Sequence, residues 1–449
     1  MKLKLIALAV AAAAATPAFA VVTPADLTTA YAQGRYLNLT GASATKATVK
    51  TALANACSDA QVTFTNSKNV VAYGCTMKST IDNYPTAWKG KPFVVFHTVS
   101  GGSLNSILGM TSNAADQMQF VRTDFAGCTG SGTAYTCTQT EARRSNGGLS
   151  DVEKALFADV LAANAPAGVD LNTIVSTPAL AAQSFGIAAS LPLWKAMQTA
   201  QGITCAAGDY SAACTPSISR TEYSTLVAQT NAFLLGDYYG WEVVDLGAYD
   251  TSIHAGAGST EDVIICRRPV TSGTQASSNA YFLGKNCTAA GKEPSNDLND
   301  TGRYEVIENS GTSDVKNCLA DGQSAAAGRQ FRIGVVSAEN VPSASDNWQW
   351  LKLDGVAVHG DTAQRANSVE MEYGFVIEMV MHTSTDTAIT PVPQAQAMSA
   401  LVSELGNDAN PKTGIMVVPH GTTYYTGPGS AIGRATNGGN NCAPMNEYL

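Results

Sequence analysis

Charge is scarce in this chain of 449 residues. Only 14% of its side chains are Asp, Glu, Lys or Arg, about half the usual share, whereas 45% are hydrophobic. That balance excludes fibrous and charge-driven disordered classes and supplies enough apolar material for a sizeable core. Beyond the first twenty residues no stretch approaches the roughly 18 to 20 consecutive apolar residues that a spanning helix needs. The five histidines, His97, His254, His359, His382 and His420, are scattered, without a His-Glu-x-x-His or other paired spacing. No Cys-x2-Cys or Cys-x4-Cys occurs, so no metal centre is expected. A Gly-x-Ser-x-Gly elbow, a phosphate-loop lysine motif and a strand-following Gly-x-Gly-x-x-Gly are missing too. No nucleophile and base can be paired, and neither an enzyme nor a cofactor is expected. No period of 20 to 50 residues recurs, which excludes a solenoid or propeller.

Residues 1–20 begin with Lys2 and Lys4, run through apolar residues from Leu5 to Ala15, and end Ala18-Phe19-Ala20. This is the layout of a cleavable secretory signal. Its removal takes both lysines, leaving 25 Lys+Arg against 36 Asp+Glu and a formal charge of −11. Such acidity repels nucleic acid and anionic lipid, so a bound anion has to be held by a local site. The first cysteine, Cys57, is far from the cleavage point, which excludes a lipid-acceptor cysteine there. A free periplasmic or secreted protein is predicted, with no membrane insertion of the mature chain.

All ten cysteines follow the signal, and an even number in an oxidising compartment reads as up to five disulfides. Closeness pairs Cys57 with Cys75, Cys128 with Cys137 and Cys205 with Cys214, the last two as stapled surface hairpins. For Cys266, Cys287, Cys318 and Cys442 the sequence does not decide the pairing; Cys287 with Cys318 and Cys266 with Cys442 is preferred.

One local unit recurs: a short apolar strand, a Gly/Ser/Thr turn, then a helix. Tyr36–Leu39 leads into Thr40-Gly41-Ala42-Ser43, after which Val49, Ala52, Leu53 and Ala56 keep helical spacing. Phe93–Phe96 leads into Ser100-Gly101-Gly102-Ser103 and then Leu104, Ile107 and Leu108. Val263–Cys266 leads into Arg268 and Ser272-Gly273-Thr274, then Ala276, Ala280 and Leu283. Strands alternating with helices predict an α/β protein with mixed, mainly parallel sheets. Further strands are expected at Arg332–Val336 and Gly414–Val418. Helices are expected at Val152–Ala163, Leu191–Gln201, Tyr223–Leu235 and Ala395–Leu405. Segments 127–148, 286–303 and 421–443 read as loops, with an extended or partly mobile tail beyond Gly427.

A Gly/Ser/Thr turn entering a helix presents N–H groups without intrahelical acceptors at the positive end of the helix dipole. That makes an anion site. Arg268, four residues before Ser272, adds a guanidinium able to contact two oxygens. Ser-Gly-Thr also occurs at 131, inside a disulfide hairpin and read as a turn, and at 310. Ser150-Asp151-Val152-Glu153 fits a capping box with Ser150 as N-cap, or else makes Asp151 a site carboxylate that accepts a hydrogen bond from a protonated oxyanion. His97 is the histidine to watch, since it lies where a strand meets the second turn. The aromatic cluster Asp237–Trp241 and the pair Trp348 and Trp350 read as packing residues.

The order Thr40-Gly41-Ala42-Ser43, Ser100-Gly101-Gly102-Ser103, Ser150-Asp151 and Arg268-x-x-x-Ser272-Gly273-Thr274 resembles the phosphate-binding protein of ABC-type phosphate importers, in the type 2 periplasmic binding protein superfamily. The resemblance implies two lobes joined by two crossovers: residues 21–185 with 353–449, and residues 186–352. It implies a ligand set of Gly41, Ala42, Ser43, Ser100, Gly101, Asp151, Arg268, Ser272, Gly273 and Thr274 around phosphate or a similar tetrahedral oxyanion. An ABC transporter permease is the implied partner. Where that family has an acidic residue and a glycine after the arginine, this chain has Pro269-Val270-Thr271, which leaves the aim of Arg268 open. A secreted surface or structural protein reusing the scaffold is the alternative reading.

Overall fold

The computed structural model describes residues 21–448 apart from 68, 112–116, 165–169, 229–239, 245, 247–261, 297–303, 359, 361–364 and 410. The expected secretory signal, the end of the helix expected at 223–235, residues 237–239 of the aromatic cluster, His254 and His359 lie outside the described residues.

The recurring unit is present in all three places. β1 (Tyr36–Gly41) is followed by α1 (Lys46–Asn55), which buries Val49, Ala52 and Leu53 on one stripe. After the hairpin β2 (Val62–Ser67) and β3 (Val70–Thr76) comes β4 (Pro92–Thr98), buried almost throughout, and then the single-turn α2 (Asn105–Leu108). The stapled hairpin β5 (Cys128–Ser131) and β6 (Ala134–Cys137) precedes β7 (Gly147–Ser150), a short 3-10 turn and α3 (Ala158–Asn164). β8 (Ile174–Ser190) is the longest strand described. The third unit is β9 (Val263–Arg267) with α4 (Gly273–Leu283); β10 (Tyr304–Glu308), α5 (Thr312–Ala320) and β11 (Arg332–Ser337) follow. β12 (Val376–Ser384) and α6 (Val392–Leu405) complete the scaffold.

The strands run in the order β10-β9-β11-β8-β12-β7-β1-β4-β3-β2-β6-β5. β8 belongs to two sheets. Its first half, through Ser184, pairs with β12, and from Phe185 onward it pairs with β11. A larger sheet centred on β1 and a smaller one centred on β9 therefore share one strand. Both carry helices, as expected of an α/β fold with stapled loops. The expectation of mainly parallel sheets needs correction, because antiparallel pairings outnumber parallel ones. Parallel pairing is concentrated where the recurring units lie, β1 with β4 and β7, and β9 with β10 and β11.

Five disulfides staple the chain. Cys57–Cys75, Cys128–Cys137 and Cys205–Cys214 are as expected. The other two pairings are exchanged: Cys266 joins Cys318, and Cys287 joins Cys442. α5 packs over β9 and β11 and so brings Cys318 to Cys266, which closeness along the chain does not reveal. One further expectation fails. Ser150 ends a strand instead of capping a helix: its hydroxyl bonds Val152, and the Glu153 carboxylate is taken by Asn441. The tail packs around Glu378, with Asn437 and Gly439 donating to its carboxylate at 2.9 and 2.8 Å. Trp241, Trp348 and Trp350 are buried packing residues.

Candidate functional site

The first turn leaves β1 at Gly41, whose φ is +128°. A Cβ there would sit 1.8 Å from the Leu149 carbonyl oxygen, so only glycine lets β7 approach this closely. The Ala42 N–H donates to that same carbonyl at 2.8 Å, and the Thr45 hydroxyl donates to the Ala42 oxygen at 2.7 Å. Ser43 is exposed. The Ala42 donor expected for an anion is thus already engaged, and the first turn meets β7 and α2 instead of the third turn.

The second and third turns do meet. Gly102 lies against the third turn so closely that a Cβ would be 3.1 Å from Ser272 Cα, and the Leu104 N–H donates to the Thr271 oxygen at 3.1 Å. Gly273 opens α4 directly over Ser103 and Asp151; a Cβ on it would fall 2.3 Å from Ser103 Oγ and 2.4 Å from Asp151 Oδ2. Ser272 is the N-cap residue, yet its hydroxyl makes no capping bond. Ser100 is half-buried with its carbonyl accepting from Asn105 Nδ2 at 2.8 Å, while Gly101 is exposed.

Asp151 is 4% exposed and sits at the positive end of α4. Ser103 Oγ donates to its Oδ2 at 3.1 Å, and its Oδ1 has no partner among the described residues. Burial pushes its pKa up to about 6, with the Glu339 carboxylate adding to the rise; the Ser103 hydrogen bond and the Arg268 charge oppose it. Glu339, just after β11, is itself raised by burial and keeps one oxygen without a partner among the described residues.

Arg268 is buried and does not form an ion pair with Asp151. Its guanidinium donates to the Ser310 oxygen at 3.0 Å and lies 3.3 Å from Thr312 Oγ1, leaving Nε without a partner among the described residues. Its aim is therefore toward the turn that opens α5. With Arg267, Thr274, Gln275 and Ser278 it borders a hollow of about 10 Å³, the scale of one water molecule.

The second turn is braced from behind. Ser106 Oγ donates to the Ser103 carbonyl at 2.6 Å and lies 2.6 Å from His382 Nδ1. Because the one hydroxyl proton goes to a carbonyl, His382 carries its proton on Nδ1. Burial lowers both His382 and His97 to about 3, so both rings are neutral. His97 is wholly buried within β4, and neither of its nitrogens has a partner among the described residues.

The residues that sequence reasoning left out of the set are Ser103, Glu339, Ser310 and Thr312. Ser103 stood inside the quoted second turn, and Ser310-Gly311-Thr312 was the remaining copy of the tripeptide. Glu339 carried no signal. A buried carboxylate, the Ser103 hydroxyl and the start of α4 are thus brought together, with the Arg268 guanidinium nearby but aimed at Ser310 and Thr312.

No family model and no curated protein matches this chain. Among solved structures it is distantly similar to a phosphate-binding protein from Stenotrophomonas maltophilia, with a TM-score of 0.35, 12% identity and coverage of 82% of this chain and 83% of that one. It is also similar to a possible phosphate binding protein from Planctomyces limnophilus, with a TM-score of 0.33, 12% identity and coverage of 83% and 88%. A third is an ABC-type phosphate transport receptor from Vibrio cholerae, with a TM-score of 0.29, 12% identity and coverage of 52% and 67%.

Proposed function

We propose that this chain is an extracytoplasmic solute-binding protein that holds phosphate, or another tetrahedral oxyanion carrying a proton, where the second and third turns meet Asp151. The reading rests on the seat of Asp151. It is buried, bonded to Ser103, set at the start of α4, and has one oxygen without a partner. An ionised carboxylate there accepts a proton-bearing ligand oxygen and rejects an anion that has no proton to give. Ser272, Gly273 and Thr274 supply donors at the helix start, and Arg268 supplies charge once its guanidinium turns from Ser310 toward the ligand.

In this reading the two sheets are the cores of two lobes, residues 21–185 with 353–449 and residues 186–352, which part about β8 to admit the ligand. The five disulfides support an oxidising compartment, and uptake through an ABC transporter permease is the fitting role. The chain binds and carries out no chemistry on its guest.

Titration calorimetry of the mature protein tests this. Heat is expected with phosphate and not with sulfate at pH 7.5. Absence of heat with any oxyanion, together with indifference to Arg268→Ala, overturns it. A surface or structural role is favoured by one observation, the direct contact of Gly102 with Ser272 and of Gly273 with Asp151, which leaves the turns closed on each other. Filaments of native material under the electron microscope, with no oxyanion bound, would establish that reading instead.

A further inference from the structure

The far end of α4 is tied to the same side of the molecule as its start. Gly273 rests on Asp151 and Ser103. Twelve residues on, Lys285 Nζ lies 2.8 Å from Asp159 Oδ2, and Asn286 Nδ2 donates to the Leu156 oxygen at 2.9 Å and to Asp159 Oδ1 at 2.7 Å. Cys287 is bonded to Cys442.

The segment that ends at Cys442 is itself pinned to the larger sheet. Glu378 of β12, 1% exposed, receives the N–H groups of Asn437 and Gly439. Asn441 gives its N–H and its side-chain amide to the two oxygens of Glu153, at 2.9 and 2.7 Å, and its Oδ1 accepts the Glu378 N–H at 2.8 Å. Glu153 is two residues from Asp151. Two buried carboxylates thus hold the Asn/Gly-rich run, and the run holds α4. The other four bridges do not span from one sheet to the other. Cys57–Cys75 and Cys128–Cys137 belong to the larger sheet, Cys266–Cys318 ties α5 to β9, and Cys205–Cys214 closes a short loop. Cys442 is also exposed, unlike the buried Cys266 and Cys318.

We propose that residues 437–442 are a covalent strap that keeps the start of α4 seated on Asp151, so that exchange at the site is slow while Cys287–Cys442 is closed and fast once it is cut. Only the exchange of a ligand rests on the function proposed above; the fastening of α4 does not. Cutting requires a dithiol reductant: the S–S bond breaks, both sulfurs become thiols with two electrons and two protons from the dithiol, and the dithiol closes to its own disulfide.

The test is hydrogen exchange of the full chain carrying Cys287→Ser and Cys442→Ser, read at the amides of Leu104 and of the first turn of α4. Exchange about tenfold faster than in the unaltered protein is expected there, with Cys205→Ser/Cys214→Ser leaving those amides unchanged. Unchanged protection in the strap variant overturns the proposal. Should that variant not fold, the unaltered folded protein, reduced by a dithiol and alkylated at Cys442, is measured in its place with the same two outcomes. Release of bound inorganic phosphate is followed in parallel. Faster amide exchange without phosphate binding in either form leaves the strap standing and removes the phosphate reading; faster exchange with faster release supports both.

Discussion

The Ser103 hydroxyl and the Asp151 carboxylate lie 3.1 Å apart in the interior, and the first residue of α4 is laid across both of them. Dehydration of that carboxylate is the dominant electrostatic fact of the site, and it makes the site sensitive to pH.

Asp151→Asn keeps an oxygen for Ser103 and removes the charge. The folded chain holds the Asp151 proton up to about pH 6, whereas the unfolded chain releases it near its ordinary 3.8. Below about pH 4 both states are protonated and the residue is neutral toward stability. As pH rises from 4 through 6 the folded state loses stability, and above 6 the full cost of about 3 kcal/mol is present. The Asn variant is therefore expected to match the unaltered protein at pH 4 and to exceed it by ~3 kcal/mol at pH 7 in urea unfolding. A difference that does not grow with pH contradicts the burial argument.

Arg268→Ala removes the one buried guanidinium whose charge is felt at Asp151. Phosphate affinity is expected to fall about ten- to a hundredfold, the loss of one charged hydrogen-bonding partner. Arg268→Lys restores charge without the planar fork and is expected to recover only part of it. Calorimetric titration reads both.

Gly41→Ala forces a methyl group toward the Leu149 oxygen in a backbone conformation that disfavours side chains. A loss of about 3 kcal/mol or more in denaturant unfolding is expected, combining the clash with strain at positive φ. Gly34→Ala, where a Cβ meets nothing within 4 Å, carries only the backbone part and is expected to cost about 1 kcal/mol.

His97 stays neutral in the folded chain down to about pH 3, while the unfolded chain takes up a proton near 6.5. Stability linked to this residue is present above 6.5 and is lost as pH falls toward 3. His97→Phe places an apolar ring where neither imidazole nitrogen finds a partner. Acid unfolding of that variant is expected to take up one proton fewer, read from the slope of unfolding free energy against pH. Stability at pH 7 is expected to be equal or higher.

Much of the scaffold was legible in the chain because it is encoded by neighbours. Apolar runs such as Phe93–Phe96 and the spacing of Val49, Ala52 and Leu53 specify strand and helix within a few residues. The near disulfides followed for the same reason. The Ser150 capping box misled because the local pattern is sound, but Gly147 and Gly148 allow a strand instead. At Gly148 a Cβ would come within 2.2 Å of the Thr40 oxygen, and that closeness between β1 and β7 is a tertiary choice.

The candidate site was half legible. Asp151, Ser272, Gly273 and the second turn converge although β9 lies in the smaller sheet and β4 and β7 in the larger one; it is the turns following these strands that touch. The first turn has its Ala42 donor engaged by Leu149, and Arg268 turns to Ser310 and Thr312. Neither outcome has a local cause.

From its residues alone the chain dictated its alternating strands and helices, its acidic balance and its even set of cysteines, since these depend on composition and on contacts a few positions apart. Which turns touch, where Arg268 points, how Cys266, Cys287, Cys318 and Cys442 pair, and whether Asp151 keeps its proton were decided only by the packed structure. Each of these depends on dehydration and on partners far away in the chain, and burial is a property of the whole fold rather than of any segment.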